Sequence, residues 1–302
     1  MTIIQWYPGH MAKAKKNMEQ DIVTVDLSIV VLDARIPFSS YNPDFNKILK
    51  KKPILVVLNK SDLANPAATK EWIKYYEKKD ILAVAMNSQK KQGMQELMKK
   101  AVAAAEPVMQ RLEARGRRRR PVRAMVVGSP NTGKSTLINA IMPKATSKTG
   151  NKPGVTRGKQ WVRINDKIEL LDTPGVLWPK FENPKVAFAL AVTGAISNDV
   201  YDTYEVSLRL IDWLQANSPN ALSGRFKIEI ADNDSPEVIL EKIGKARGML
   251  AAGGVVRVED AARILLAEFR NGKLGRFTLD KMPAAAKEIA EEKNNKEEDK
   301  ND

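Results

Sequence analysis

The eight residues 128–135 constrain the fold of this chain more than any other stretch of it. Their sequence, G-S-P-N-T-G-K-S, matches the pattern G-x-x-x-x-G-K-[ST]. Residues 122–127 are short, apolar and β-branched, as in a buried parallel strand, and residues 135–141 have the periodicity of an amphipathic helix. A strand, a glycine-rich turn and a helix N-terminus together surround a phosphate with backbone N–H groups. The pattern therefore predicts a nucleotide-binding site.

The residues of this loop have predicted contacts with the nucleotide or with its metal ion. We expect Lys134 to reach the β- and γ-phosphates and the Ser135 hydroxyl to bind Mg²⁺. The remaining contacts are predicted for Asn131, Thr132, Gly133 and Thr136. A glycine-rich turn with an incidental lysine is the alternative, and the strand and helix on either side argue against it.

A second motif follows a predicted buried strand at residues 53–58. It consists of Asn59, Lys60, Ser61 and Asp62, in the pattern N-K-x-D. A carboxylate at position 62 accepts two hydrogen bonds, from the ring N1–H and the exocyclic amine of guanine, whereas adenine offers no such pair of donors. We expect Asn59 to connect the base to the phosphate loop and the Lys60 stem to cover a face of the ring. Alone, the tetrad also fits an ordinary polar turn, but the phosphate loop elsewhere favours guanine recognition.

Asn87 and Ser88 follow the next predicted strand, at residues 81–86. They could place a backbone N–H and a hydroxyl near the base, and an ordinary turn is equally compatible with the sequence. Because open α/β sheets bind ligands at the C-terminal edge of their strands, we include both residues among the predicted nucleotide contacts.

A third motif, D-T-P-G at residues 172–175, has the pattern D-x-x-G and follows a predicted hairpin that turns at residues 165–167. Asp172 is predicted to hold Mg²⁺ through a water molecule, and the Gly175 amide is predicted to sense the γ-phosphate. Thr156 lies in the preceding loop, where its hydroxyl could complete the Mg²⁺ shell. The spacing of roughly forty residues after the phosphate loop, with a hairpin between, makes this short motif specific.

The order of the three motifs predicts a circular permutation. In an ordinary small GTPase the phosphate loop comes first and N-K-x-D last, whereas here N-K-x-D precedes the phosphate loop. Joining the old chain ends through the arginine-rich residues 115–121 restores one sheet, because domain termini often lie close together. The predicted fold class is α/β: a circularly permuted P-loop GTPase domain with a six-stranded, mostly parallel, doubly wound sheet, followed by a smaller all-α domain.

Composition divides the chain into three predicted parts. Residues 1–178 form the permuted GTP-binding domain, residues 179–283 a helical, RNA-binding domain, and residues 284–302 a disordered charged tail. Because the D-x-x-G motif leads directly into the helical domain, we expect the bound nucleotide to influence the position of that domain.

One basic stretch of the helical domain is a candidate RNA contact. It combines an aromatic residue, Phe277, with four cations: Arg263, Arg270, Lys273 and Arg276. This composition fits an RNA-facing edge and equally fits solvated charge around one core phenylalanine.

Charge and composition bound the function. A net charge of +14 and a pI near 9.7 predict attraction to a polyanion, and RNA, DNA or an anionic membrane would each satisfy that. The charge could also serve solubility alone. The absence of cysteine excludes disulfides and thiolate metal sites and fits a reducing compartment. No apolar run approaches the ~18 residues that span a bilayer, and the N-terminus lacks a signal peptide's apolar core. We expect a soluble cytoplasmic protein.

Several stretches together resemble the bacterial ribosome biogenesis GTPase A (RbgA/YlqF) family. They are the permuted motif order, W-Y-P-G-H-M at residues 6–11, D-A-R-I-P at 33–37, the phosphate loop and P-G-V-T at 153–156. The resemblance extends to about Met282. It implies a GTPase of late large-subunit assembly that binds GTP or GDP and Mg²⁺. The implied partners are the large ribosomal subunit precursor and its ribosomal RNA, and no DNA partner is expected.

The catalytic group requires a separate hypothesis. Val176 directly follows D-x-x-G, where Ras-like enzymes have the glutamine that orients the attacking water. His10 is the candidate replacement, to which the resemblance also points, because imidazole accepts or orients a proton near neutral pH. The alternative is a histidine held in a Pro-Gly turn. Asn131 is further predicted to help bind K⁺, as in GTPases similar at this loop.

Two other functions remain compatible with the residues. One is an RNA-binding scaffold whose nucleotide site senses GTP with little turnover, which Val176 favours and Lys134, Ser135 and Asp172 oppose. The other is a membrane-surface GTPase attracted by positive charge.

Overall fold

The computed structural model describes residue 16 and residues 18–49, 52–142, 161–171 and 183–283. Within these residues, six strands form one sheet in the order β3-β2-β1-β4-β6-β5. All neighbouring strands are parallel except the antiparallel pair β5 and β6. The strands are β1 (Leu27–Asp33), β2 (Ile54–Asn59), β3 (Leu82–Met86), β4 (Val122–Val127), β5 (Trp161–Arg163) and β6 (Ile168–Leu171). The predicted six-stranded, mostly parallel sheet is confirmed.

The sheet is covered on both faces, as its apolar strands require. All seven residues of β1 are buried, and successive side chains enter different hydrophobic clusters. Val30 and Leu32 pack with one cluster, whereas Ile29 and Val31 pack with the other. Side chains alternate across a strand, so a strand with a helical layer on each face is apolar throughout.

Helices that cover this sheet, among the residues that the structure describes, include α1 (Phe45–Ile48), α2 (Pro66–Glu77), α3 (Met94–Ala114) and α4 (Lys134–Ile141). Phe45 of α1 and Trp72 of α2 belong to the cluster on one face. Leu97 of α3 and Leu137 of α4 belong to the cluster on the other face. The sheet is therefore doubly wound, as predicted.

The described residues after 183 form five helices around a third hydrophobic cluster. Three of them have side-chain N-caps, Asn183, Asp202 and Ser235, which satisfy free N–H groups of the first turn. Short 3₁₀ turns lie at Ile22–Thr24, Asn198–Val200 and Ala252–Gly254. The helices are α5 (Pro184–Thr193), α6 (Thr203–Asn217), α7 (Asn220–Phe226), α8 (Pro236–Ala246) and α9 (Val258–Arg270).

The sequence did not predict α7. This helix has seven residues, contains Gly224 and has no side-chain N-cap hydrogen bond, so neither a start signal nor a long apolar stripe identifies it. Leu222 and Phe226 are nevertheless buried in the helical cluster.

Two segments of the described chain pack across the boundary between the sheet and the helical cluster. Ile36, in the loop after β1, is fully buried in the helical cluster. Met282 packs against the cluster on one face of the sheet. Residue 178 and residues 284–302 lie outside the described residues, so the proposed domain boundaries stay predictions. No helix of the described ranges is long and apolar enough to cross a membrane.

Candidate functional site

Three loops with predicted roles leave the same edge of the sheet. They follow the C-terminal ends of β2, β3 and β4, and β1 ends beside them because Asp33 pairs in register with Asn59. Asn59 in turn pairs in register with Met86. Parallel strands therefore bring the N-K-x-D tetrad, Asn87 and Ser88, and the phosphate loop together, although Asn59 and Thr132 are 73 residues apart in the chain.

The phosphate loop closes tightly on the N-terminus of α4. Gly133 has a φ of +91°, and a Cβ there would lie 2.3 Å from Asn59 Nδ2, so only glycine fits this position. Thr132 is buried, and its hydroxyl donates to the Ser129 carbonyl at 2.8 Å. The Ser135 and Thr136 side chains are exposed, and neither hydroxyl has a hydrogen-bond partner among the described residues.

Lys134 is a buried cation without an acidic partner in the described chain. Its Nζ donates to the Ser129 carbonyl at 2.5 Å, and the residue is only 9% exposed. Burial lowers the pKa of Lys134 to about 8, since removing the ammonium group from water disfavours its charged form. A phosphate oxygen would supply the missing negative charge.

Asn59 connects the three loops. Its Nδ2 donates to the Thr132 carbonyl of the phosphate loop at 2.8 Å. Its Oδ1 accepts from the Ser88 N–H at 3.1 Å and from the Ser88 hydroxyl at 2.7 Å. Ser88 therefore orients the Asn59 side chain in this structure. Because both Ser88 donors bind Asn59, neither is directed at a base.

Lys60 makes a second connection to the phosphate loop. Its backbone has a φ of +58°, and its Nζ donates to the Asn131 carbonyl at 2.5 Å and lies 3.0 Å from Asp33 Oδ2. Asn131 extends the connection, because its Nδ2 donates to the Gly194 carbonyl after α5 at 2.9 Å. The phosphate loop thus contacts the base loop and the helical part of the molecule.

Two polar groups on neighbouring loops have no hydrogen-bond partner among the described residues. The Asp62 carboxylate accepts no hydrogen bond there, whereas the Ser61 N–H donates to the Met86 carbonyl. Asn87 Nδ2 is buried and unpaired, while its Oδ1 accepts from the Lys90 N–H. Guanine carries donors at N1 and the exocyclic amine and an acceptor at O6, so a free acceptor and a free donor fit this base.

Asp33 and Arg35 form a buried ion pair that sequence reasoning treated only as part of a loop. Arg35 donates from Nη2 to Asp33 Oδ2 at 2.7 Å and from Nε to Oδ1 at 2.9 Å. Burial alone would raise the pKa of Asp33, but Arg35 and Lys60 hold it well below its usual value. Arg35 also donates to the carbonyls of Thr193 and Arg270 at 3.2 Å each. The pair therefore joins β1 to the helices. The only sequence signal for it was an aspartate and an arginine two residues apart at the end of a strand.

The basic stretch predicted as an RNA-facing edge or as solvated charge fits neither description completely. Arg270 donates to the carbonyls of Ala191 and Val192, and Arg276 donates to those of Ser61 and Ala64. The other two cations form ion pairs, Arg263 with Asp260 and Lys273 with Glu268. Local sequence could not show this, because the carbonyls that Arg270 and Arg276 bind are distant in the chain.

Four predicted site residues lie outside the described residues: His10, Thr156, Asp172 and Gly175. Their roles stay predictions, as does the part that Val176 plays. Within the described ranges, no group of three or more Asp, Glu or His side chains could hold a metal ion. Ser135 is the only one of the three predicted Mg²⁺ ligands that the structure describes, and its free hydroxyl fits that role.

Comparison with known proteins adds independent information. The family model described as 50S ribosome-binding GTPase matches residues 123–234, a range that starts in β4 and leaves out the N-K-x-D tetrad. Ribosome biogenesis GTPase A of Bacillus cereus is 41% identical over 281 residues, which cover 92% of this chain and 94% of that protein. Mitochondrial ribosome-associated GTPase 1 of Ictalurus punctatus is 34% identical, with 92% of each chain covered.

Solved structures share the fold. GNP-bound YlqF from T. maritima superposes with a TM-score of 0.61 at 24% identity, covering 89% of this chain and 98% of that one. A GDP-bound YlqF structure gives a TM-score of 0.62 at the same identity. Three observations agree on the family. The base-recognition tetrad precedes the phosphate loop, one sheet joins both halves of the domain, and the sequence identity to these relatives extends over most of the chain. This chain belongs to the ribosome biogenesis GTPase A family of circularly permuted GTPases.

Proposed function

We propose that this chain hydrolyses GTP to GDP and phosphate while bound to a precursor of the large ribosomal subunit, late in its assembly. The observation that carries the nucleotide part is the buried Lys134, which has no acidic partner among the described residues and lies in the phosphate loop that Asn59 connects to the base loop. Family membership carries the part that concerns the ribosome.

In this proposal each predicted site residue has a defined task. Asp62 accepts from the guanine N1–H and amine, and Lys134 neutralises the β- and γ-phosphates. Ser135, Asp172 and Thr156 would hold Mg²⁺, which would supply positive charge beside the phosphates, and the Gly175 amide would sense the γ-phosphate. The Asp62 carboxylate, which accepts no hydrogen bond from the described residues, and the exposed Ser135 hydroxyl support these assignments.

His10 takes the place of the missing glutamine in the proposed reaction. Val176 cannot orient a water molecule, and an imidazole can do so near neutral pH. We expect His10→Ala to abolish ribosome-stimulated turnover while GTP affinity changes little. Normal turnover of this variant would exclude His10 as the catalytic group.

Asn131 supports K⁺ as a further cofactor. Its Nδ2 is engaged by the Gly194 carbonyl, and its Oδ1 has no partner among the described residues. A free amide oxygen beside the phosphate loop is a suitable ligand for a monovalent cation. Replacement of K⁺ by Na⁺ should then slow turnover, and equal rates in the two salts would contradict this role.

The arginine-rich linker, residues 115–121, is the proposed contact for ribosomal RNA. It contains five arginines and no acidic residue. Arg115, Arg117 and Arg118 are exposed, and their side chains have no partner among the described residues. Free, exposed guanidinium groups bind the phosphate backbone. An RNA partner also places the protein where ribosomes are assembled, which agrees with the expected cytoplasmic location.

The linker lies far from the nucleotide. It enters β4 at Val122, whereas the phosphate loop leaves β4 after Val127. Six residues of strand separate the two edges by about 17–20 Å. Changes in the linker should therefore affect binding to the particle and leave the intrinsic GTPase rate unchanged.

Turnover with ribosomal particles tests the function. GTP hydrolysis in K⁺ buffer would be measured for the protein alone and with large subunits, small subunits or bulk RNA. Strong stimulation by large subunits only supports the proposal. Equal stimulation by all three, or none, contradicts the assignment to the large subunit.

A pair of triple variants tests the RNA contact. Arg115→Ala/Arg117→Ala/Arg118→Ala should weaken binding to large subunits and reduce the slope of log affinity against log salt by about 2 to 3. The control, Lys70→Ala/Lys74→Ala/Lys78→Ala, removes the same charge from exposed positions of α2 and of the residue that follows it. Equal effects of both variants would mean that only net charge matters.

A further inference from the structure

Residues 276–280, here named the C-terminal strap, run along the base-recognition loop. The strap follows α9 and makes hydrogen bonds with four of the five residues 61–65. Arg276 donates from Nη2 to the Ser61 carbonyl at 2.9 Å and from Nε to the Ala64 carbonyl at 3.0 Å. The Phe277 N–H donates to the Leu63 carbonyl at 3.2 Å, and the Thr278 hydroxyl accepts from the Asn65 N–H at 3.3 Å.

Asp62 is the one residue of this loop that the strap leaves free. Its neighbours on both sides are held by Arg276 and Phe277, while its carboxylate has no hydrogen-bond partner in the described chain. A carboxylate that accepts two hydrogen bonds from one ring needs a defined orientation. The backbone on either side of Asp62 sets that orientation.

The strap is itself held by the helices. The Phe277 ring stacks on Phe269 of α9 with centroids 5.8 Å apart and meets Trp213 of α6 edge to face at 5.7 Å. Gly272, just after α9, has a φ of +70°, and a Cβ there would lie 2.8 Å from Leu63 Cδ2. The base loop thus packs directly against the end of α9, and any shift of α9 moves the strap.

The other end of the strap binds the loop after β1. The Leu279 N–H donates to the Arg35 carbonyl at 2.8 Å, and Asp280 accepts from the Ser39 hydroxyl at 2.6 Å and from the Ser39 N–H at 2.8 Å. Burial raises the pKa of Asp280, although these hydrogen bonds oppose the increase. The strap is therefore fixed at both ends, and it is not a frayed chain terminus.

We propose that the C-terminal strap is a positioning element for guanine recognition, through which the helical domain controls the affinity of the site for its base. Arg276 is the main positioning residue, because its guanidinium bridges the carbonyls on both sides of Asp62. The inference rests on the proposed guanine-nucleotide site. It adds a connection between that site and the helical domain, besides the one predicted through the D-x-x-G motif. A partner that displaces the helices would loosen the base loop and release nucleotide.

The test compares GDP with IDP, whose hypoxanthine base lacks the exocyclic amine. Arg276→Ala should weaken GDP binding about 5- to 10-fold and IDP binding less than about 2-fold, so the selectivity for GDP falls. Arg276→Lys, which can still donate to one carbonyl, should recover part of the selectivity. Calorimetry on the full chain measures both affinities.

Matched measurements separate positioning from a merely structural role. Arg263→Ala, which removes an exposed arginine of α9, should leave both affinities unchanged. Equal weakening of GDP and IDP by Arg276→Ala, or no weakening, would overturn the inference. If Arg276→Ala does not fold, Thr278→Val removes only the two hydrogen bonds of the Thr278 hydroxyl, from the Asn65 N–H and to the Ala34 carbonyl, and must show the same fall in selectivity. A wild-type protein without preference for GDP over ADP would instead contradict the proposed function.

Discussion

The arginines at the boundary between the sheet and the helices differ from those of the linker in what surrounds them. Arg35 and Arg270 donate to carboxylate and carbonyl oxygens of other elements. Arg117 and Arg118 are exposed and have no side-chain partner among the described residues. The net charge of +14 therefore combines cations that hold the fold together with cations that are free to meet a polyanion.

Lys134 belongs to neither group. It is buried like Arg35, yet it has no acidic partner in the described chain. A buried cation without an anion is costly, and proteins retain one mainly where a ligand supplies the charge. The comparison thus separates structural cations, surface cations and one cation that is prepared for a ligand.

The largest expected effect on stability follows replacement of one partner of the buried Asp33–Arg35 ion pair. Arg35→Met leaves the buried Asp33 carboxylate with Lys60 alone and should lower the free energy of unfolding by about 3 kcal/mol. Denaturant titration measures this change. Asp33→Asn/Arg35→Met should recover part of the loss, and a single variant as stable as the wild type would remove Arg35 from the structural group.

Replacement of Arg270 should lower the free energy of unfolding by a smaller amount. Arg270→Ala removes the guanidinium hydrogen bonds to the Ala191 and Val192 carbonyls at the end of α5 and should cost about 1–3 kcal/mol of stability. Arg263→Ala is the matched control, because Arg263 is exposed and its pair with Asp260 contributes less than about 1 kcal/mol. Equal losses of stability from the two variants would show that the hydrogen bonds of Arg270 contribute no more to stability than the exposed ion pair of Arg263.

Lys134 should couple nucleotide binding to proton uptake. Its pKa is about 8 in this structure because of burial, and a bound phosphate raises it, so the complex holds the proton more tightly. Binding of GDP should take up about half a proton at pH 8, and affinity should fall as pH rises above 8, by at most about 1.4 kcal/mol per pH unit.

Calorimetry in two buffers of different ionisation enthalpy measures this proton uptake. Lys134→Gln is the control, since it has no proton to gain and should bind with no uptake. Uptake that persists in this variant would assign the proton to another group.

The smallest expected effect concerns the linker. Arg115→Ala/Arg117→Ala/Arg118→Ala removes three side chains without partners in the described chain and should change the free energy of unfolding by less than about 0.5 kcal/mol. Thermal or denaturant unfolding measures it. A loss comparable to that of Arg270→Ala would place the linker arginines in the structural group.

Much of the fold was predictable because its signals are local. The apolar runs predicted as strands at residues 53–58, 81–86 and 122–127 match β2, β3 and β4 to within one residue at each end, since a strand buried on both faces is mainly apolar. The short helix α7 was missed because seven residues with a glycine give no period, and packing of Leu222 and Phe226 stabilises it instead.

The residues of the candidate site could be predicted from the sequence more fully than the contacts among them. Asn59, Asp62 and Lys134 belong to motifs whose spacing has a chemical reason. The same motifs could not show that Ser88 supports Asn59, or that Lys60 contacts Asn131, because these contacts join different loops. The roles proposed for His10, Thr156, Asp172 and Gly175 stay predictions.

The sequence by itself determined the class of fold, the permuted order of the motifs and the choice of guanine as the expected base. These properties depend on residue types at short spacing, where periodicity and motif chemistry act. Only the tertiary structure decided which cations are engaged. Arg276 reaches Ser61 across 215 residues of chain, and Arg35 meets Thr193 across 158 residues. The side chain of an arginine is the same in every setting, and its partner depends on where the sheet and the helices meet.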